Sequence, residues 1–233
     1  MIEYFNTTSG DIALIKDDTH ICKWIKEHRR LDFDHAMINR VILPYVPNGS
    51  VVLNVGAYVG DTAKALLMDS KIKEVHCFEP NPEAFECLAF NPQEHVHRCV
   101  VNNYALGEES ASCFVHLPNS NFGMANVVLD EGGDVAVNTI DNYCQDNHIN
   151  PNFIYADIEG FELNMLKGGR ETIIKNRPIM VLEINEPALA KNHTTMKQVF
   201  DYLDELGYIY KEVYNTPLKK CHTQFDILCF PPR

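Results

Sequence analysis

No stretch of the chain stays apolar for the roughly 18 residues that a membrane helix needs, so a membrane-spanning role has no support in it. The opening residues, MIEYFNTTSGD, lack both the basic lead and the apolar stretch of a signal peptide, which predicts no secretion. The glycosylation-type triplets at Asn6 and Asn192 then read as chance. Cysteine is not scarce, with eight, but no two stand in the CxxC spacing of a zinc or redox site. Cys77, Cys99 and Cys229 lie in apolar runs and read as buried, reduced thiols, which predicts a cytoplasmic protein. Basic residues are in deficit, 20 against 32 acidic, for a net charge of −12. That argues against a nucleic-acid or anionic-membrane partner, because affinity for phosphates comes from Lys and Arg. The cluster Lys23, Lys26, His28, Arg29 and Arg30 reads as a solvated helix face.

The 233 residues suffice for one α/β domain with an N-terminal extension. We place a hairpin and helical cap at residues 1–46 and the core at 47–233. The core is organised around VVLNVGAYVGDT, Val51 to Thr62. Val51 to Val55 read as a strand covered on both faces, and Gly56 and Gly60 bracket a tight turn. A helix starts near Gly60 or Asp61. The free N–H groups of such a strand–turn–helix unit suit an electron-rich ligand, although a glycine-rich turn occurs in doubly wound folds of many functions.

Ahead of this unit, Met1 to Ile15 reads as a hairpin turning at Thr8 to Asp11, and Thr19 to Arg30 and Asp34 to Val46 as helices. Beyond it, Val75 to Phe78 forms a second strand ending at Glu79, 23 residues past Gly56, where a carboxylate can accept bonds from both ribose hydroxyls. Asn81 and Pro82 then start a helix as N-cap and N1. A third strand is expected over Val96 to Val101, with His95 and His97 on one face as surface residues. Ser112 to Leu117 and Val127 to Leu129 read as a hairpin, and Val135 to Ile140 as a further extended piece. Phe153 to Ala156 leads into Asp157 and Glu159, which either flank the same crevice or merely cap the next helix. Leu163 to Lys175 reads as a helix interrupted at Gly168-Gly169. Ile179 to Ile184 is a strand carrying Glu183, and Thr194 or Thr195 caps a helix ending at Gly207. Tyr208 to Val213 and Phe225 to Phe230 can only pair antiparallel, because no crossover separates them. Gly56 to Gly60 lacks the middle glycine of G-x-G-x-x-G. Together with the terminal hairpin, that disfavours a nicotinamide-dependent oxidoreductase and fits a ligand with a ribose but no pyrophosphate.

The runs VLNVGAYVGDTA, FEPNP, Ala105-Leu106-Gly107, DIEGFE and RPIMVLEI, in this order, resemble the FkbM family of S-adenosylmethionine-dependent methyltransferases over about Asp34 to Phe230. The resemblance implies a Rossmann-like class I methyltransferase fold: a seven-stranded, mostly parallel sheet with an antiparallel C-terminal hairpin and helices on both faces. It implies the cofactor's methionine part over Gly56 to Gly60, its ribose on Glu79, and adenine near Asn103 to Ala105. The expected cofactor site therefore comprises Asn54, Gly56, Ala57, Tyr58, Gly60, Asp61, Thr62, Glu79, Pro80, Asn81, Asn103, Ala105 and Asp157. The implied reaction is O-methylation of a saccharide or other small-molecule hydroxyl. Positioning the acceptor in line with the S–CH3 bond supplies much of the acceleration, on the order of 7 to 11 kcal/mol. Asp157 and Glu159, with Glu183 behind them, are the candidate bases. Two carboxylates could instead hold a divalent cation, but spacing marks no third ligand, and we assign no metal ligands. The family usually has Asp at Asn54, Asn at Tyr58 and Lys at Tyr155. These departures motivate the alternative of a non-catalytic cofactor-binding or scaffold protein. Acceptor choice is expected to lie in the N-terminal cap, the Asn119 to Met124 loop and the residues after Glu183.

Overall fold

The structure, a computed structural model, describes residues 1–7, 10–31, 37–118, 120–213 and 223–232. An antiparallel hairpin opens it, β1 (Ile2–Thr7) on β2 (Gly10–Ile15), with Ile2 opposite Ile15. Helix α1 (Ile21–His28) follows. The helix expected over Asp34 to Val46 lies partly outside the described residues. Its described part is a π-helical turn, Ile38–Ile42, tightening into a 3-10 turn, Leu43–Tyr45. Pro44, which has no N–H to give a regular ladder, accounts for the irregularity.

Seven strands make the central sheet: β3 (Ser50–Val55), β4 (Ile72–Phe78), β5 (Cys99–Asn102), β10 (Phe153–Ala156), β11 (Ile179–Asn185), β12 (Ile209–Glu212) and β13 (Gln224–Phe230). Their spatial order is β12-β13-β11-β10-β3-β4-β5. The five strands from β11 to β5 pair in parallel, whereas β13 lies antiparallel between β11 and β12. Neighbouring strand residues go to opposite cores. Val52, Phe153 and Val181 pack with Ala63, Leu66 and Ile42, while Leu53, Ile154 and Leu182 pack with Leu166, Val199 and Leu203. A strand covered on both faces therefore reads as an unbroken apolar run. The chain winds outward from β3 to β5 and returns to β10 on the other side of β3. The carboxyl ends of β3 and β10 thus form the switch point where such sheets hold ligands.

The helices cover the sheet: α2 (Asp61–Leu67), α3 (Pro82–Phe90), α4 (Ile140–Asp146), α5 (Glu162–Gly168), α6 (Arg170–Asn176), α7 (Glu186–Lys191) and α8 (Met196–Glu205). Two differ from expectation. The extended piece over Val135 to Ile140 ends at Asn138, because the Thr139 side chain accepts from the Asn142 amide at 3.0 Å and starts α4. Asn185 caps α7, with Pro187 in its first turn. The third core strand is shorter than expected. Gln93–Arg98 coil into 3-10 turns after Pro92, so His95 and His97 sit there and not on a strand face. Arg98 fixes the turns by donating to the Ile72 and Leu67 carbonyls.

Between β5 and β10 a second sheet forms from β6 (Ala105–Leu106), β7 (Ala111–His116), β8 (Asn126–Leu129) and β9 (Val135–Asn138), in the order β6-β9-β7-β8. The expected hairpin is its antiparallel β7-β8 pair. No helix among the described residues is long and apolar enough to cross a membrane.

Candidate active site

The bend after β3 is held by the strand beside it. The amides of Gly56 and Ala57 both donate to the Phe78 carbonyl at 3.0 Å. Gly56 has φ 80°, and a Cβ there would stand 1.8 Å from the Asp157 carbonyl oxygen. Its missing side chain lets the ends of β3 and β10 abut, so backbone packing, more than ligand approach, requires glycine here. Tyr58 is also left-handed, at φ 46°. Its amide donates to Glu79 Oε2 at 2.8 Å and its hydroxyl to Asp18 Oδ2 at 3.0 Å. Its ring packs beside the N-terminal hairpin and α1, among Ile12, Ile15 and Cys22.

Glu79, at the tip of β4, is 5% exposed. Its Oε1 accepts from the Asn81 amide at 2.8 Å and its Oε2 from Tyr58. Burial pushes the carboxyl up to about 7, against the pull of those two N–H groups. Each oxygen keeps lone-pair capacity for one more donor. Asn103 Nδ2 donates to the Glu79 and Pro80 carbonyls at 2.9 and 3.3 Å and so fixes the backbone under the carboxylate.

A crevice of about 570 Å³, counting its open mouth, lies over the bend. Gly56, Tyr58, Glu79, Pro80, Ala105, Asp157 and Glu159 line it. Phe78, Tyr104, Leu106 and Phe161 give it apolar walls, and it is closed by Val115 and Val127 of the second sheet and by Phe122 and Gly123 of the 3-10 turn (Phe122–Met124) between β7 and β8. Largely apolar walls with a few convergent polar groups are typical of small-molecule sites. The remaining predicted residues stand outside the lining. Asn54 is fully buried on the far face of β3, opposite Cys77 and beside its thiol. Asp61 and Thr62 are buried in the first turn of α2, and Ala57 and Gly60 lie within the bend. Asn81 caps α3 through its Oδ1. Asn103 acts through Glu79.

Three carboxylates meet at the crevice's other side. One oxygen each of Asp157, Glu159 and Glu183 lies within 4.8 Å of the others. Glu159 is held at φ 51°, followed by Gly160, where a Cβ would stand 2.3 Å from the Ala188 backbone. Burial first, then Glu183 and Glu159, raise Asp157 well above the carboxylate range. Burial and Glu183 push Glu159 up to about 7.

Sequence reasoning missed Asp18. It is 3% exposed; Oδ1 accepts from the amides of His20 and Cys22, and Oδ2 from Tyr58 and the Phe122 amide. One carboxylate thereby joins α1, the bend and the turn over the crevice. An acidic residue ahead of a helix was visible as a cap signal. Its partners 40 and 104 residues away were not.

The buried carboxylate with spare lone pairs and the apolar walls suit a ribose and a flat base, and the acidic side suits a cationic sulfonium. The residues present thus fit S-adenosylmethionine. A profile of the Methyltransferase FkbM domain matches residues 54–210. Hexuronic acid methyltransferase AglP of Haloferax volcanii is 29% identical over 133 residues, 55% of this chain and 54% of that protein. The crystal structure of methyltransferase FkbM from Methylobacillus flagellatus KT has a TM-score of 0.58 at 19% identity, over 85% of this chain and 48% of that one. A protein of the NADB-Rossmann superfamily from Streptococcus agalactiae has a TM-score of 0.51 at 13% identity, over 84% and 67%. The two structures share the fold, and the chain spans about half the length of AglP and of the Methylobacillus protein.

Proposed function

The chain belongs to the FkbM methyltransferase family, and from that premise we propose that it methylates a hydroxyl of a saccharide or other small molecule, with S-adenosylmethionine as donor. The reading rests on one observation: the Glu79 carboxylate and the amide of Tyr58 are joined across the bend, at the floor of a crevice bounded opposite by Asp157 and Glu159. The hexuronic acid named for the Haloferax relative supports a saccharide acceptor.

Glu79 holds the ribose hydroxyls, with Tyr104, Leu106 and Phe78 along the base. When bound, the cofactor would supply a methyl on a positive sulfur, which keeps the C–S electron pair as the methyl passes to the acceptor oxygen, and a carboxylate of this chain would take the hydroxyl proton. Asp157 and Glu159 are the carboxylates in reach, and a raised proton affinity suits an acceptor of that proton near neutral pH. Phe122 and Gly123 exclude water from above.

The test is calorimetry with S-adenosylmethionine and S-adenosylhomocysteine, followed by methyl transfer to a panel of uronic acids and neutral sugars. Saturable binding abolished by Glu79→Ala, with a methylated sugar product, is expected. Absence of binding by either ligand overturns the reading.

A further inference from the structure

We propose that Asp157, Glu159 and Glu183 form a binding site for one hard divalent cation, of the Mg²⁺, Mn²⁺ or Ca²⁺ kind, beside the crevice. Their oxygens lie within 4.8 Å of one another, and no His or Cys joins them among the described residues. Oxygen-only ligands of this type take hard cations in preference to zinc. None of the three forms an ion pair among the described residues.

Glu183 makes the argument independent of clustering alone. It is 7% exposed, and its Oε2 is buried with no hydrogen-bond partner among the described residues. An uncompensated buried carboxylate oxygen is costly and calls for a cation. In the strand register Asp226 on β13 stands directly opposite Glu183.

Amide side chains orient these carboxylates, and Lys191 lies near enough to favour the charged form of Glu159 without forming an ion pair among the described residues. Glu183 Oε1 accepts from Gln224 Nε2 at 2.6 Å, and Glu159 Oε2 accepts from Asn185 Nδ2 at 3.1 Å. Each leaves its other oxygen free, as supporting partners of metal ligands do. Asp157 and Glu159 line the crevice, so a cation held there has coordination positions facing the acceptor. Its role in polarising an acceptor oxygen rests on the proposed methyl transfer, whereas its binding does not.

Mn²⁺ titration of the full chain, followed by electron paramagnetic resonance with neither cofactor nor acceptor present, tests the site. One ion per chain, displaced by Mg²⁺ or Ca²⁺, is expected. Asp157→Asn and Glu183→Gln should each weaken it by more than about tenfold, and Asn185→Ala by about tenfold. Metal-free melting temperatures of the two carboxylate variants should not fall below wild type, because each relieves repulsion; this separates a lost site from a lost fold. No saturable binding up to about 1 mM Mn²⁺, or binding that survives both carboxylate substitutions, overturns the proposal. Cofactor binding through Glu79 is measured without metal, so either reading can fail alone.

Discussion

The backbone amide of Tyr58 lies 2.8 Å from Oε2 of Glu79, so the bend after β3 and the tip of β4 are set by one hydrogen bond. The second oxygen is tied to the Asn81 amide, which leaves the carboxylate a single orientation. On the proposed function, Glu79→Ala should therefore cost the two bonds its carboxylate would accept from the ribose. Charge-assisted bonds are worth about 1.5–3 kcal/mol each, so S-adenosylhomocysteine affinity should fall about 100-fold or more by calorimetry.

Tyr58→Phe separates the two ends of that residue. The amide bond to Glu79 remains, but buried Asp18 loses one of its four donors. We expect a stability loss of about 1–2 kcal/mol and a melting point lower by roughly 2–6 °C. Cofactor affinity should change less than about threefold.

Gly56→Ala should be among the most damaging single-methyl additions. The new Cβ meets the Asp157 carbonyl oxygen at 1.8 Å and demands a left-handed alanine. Chemical denaturation should show a loss exceeding about 2 kcal/mol.

Glu162 governs a pH effect. Burial pushes it up to about 8 from 4.5. Because the folded chain binds this proton more tightly than the unfolded chain, stability is lost as pH rises through that window. Its Oε1 accepts both local amides at 3.3 Å, so an isosteric amide keeps them. Relative to wild type, Glu162→Gln should gain on the order of 3 kcal/mol between pH 5 and pH 8. A gain that does not depend on pH would contradict the assignment.

The sheet was legible because its strands announce themselves locally. Val51 to Val55 and Ile179 to Ile184 are β-branched runs, and the lack of a helix between the last two strands forces an antiparallel pair. Glu79 and the Asp157–Glu159 pair could be placed at the crevice from the sequence because they follow strands that end at a switch point. What escaped depends on contacts distant in sequence. Asn54 alternates to the face away from the crevice, a consequence of period two that motif matching ignores. The 3-10 turns at Gln93–Arg98 rest on Arg98 reaching two carbonyls of earlier elements. α4 and α7 are too short for periodicity to reveal, although Thr139 and Asn185 are ordinary caps.

The shared stretch begins at residue 54, yet the carboxylate fastening the roof of the crevice is at residue 18. The matched stretch thus holds the crevice floor but not the carboxylate that ties α1 to the bend. A fragment cut to the matched residues would lose Asp18, and with it the bonds to the Tyr58 hydroxyl and the Phe122 amide, together with the start of β3 and the whole of β13, so the crevice would part from both its roof and the edge of its sheet.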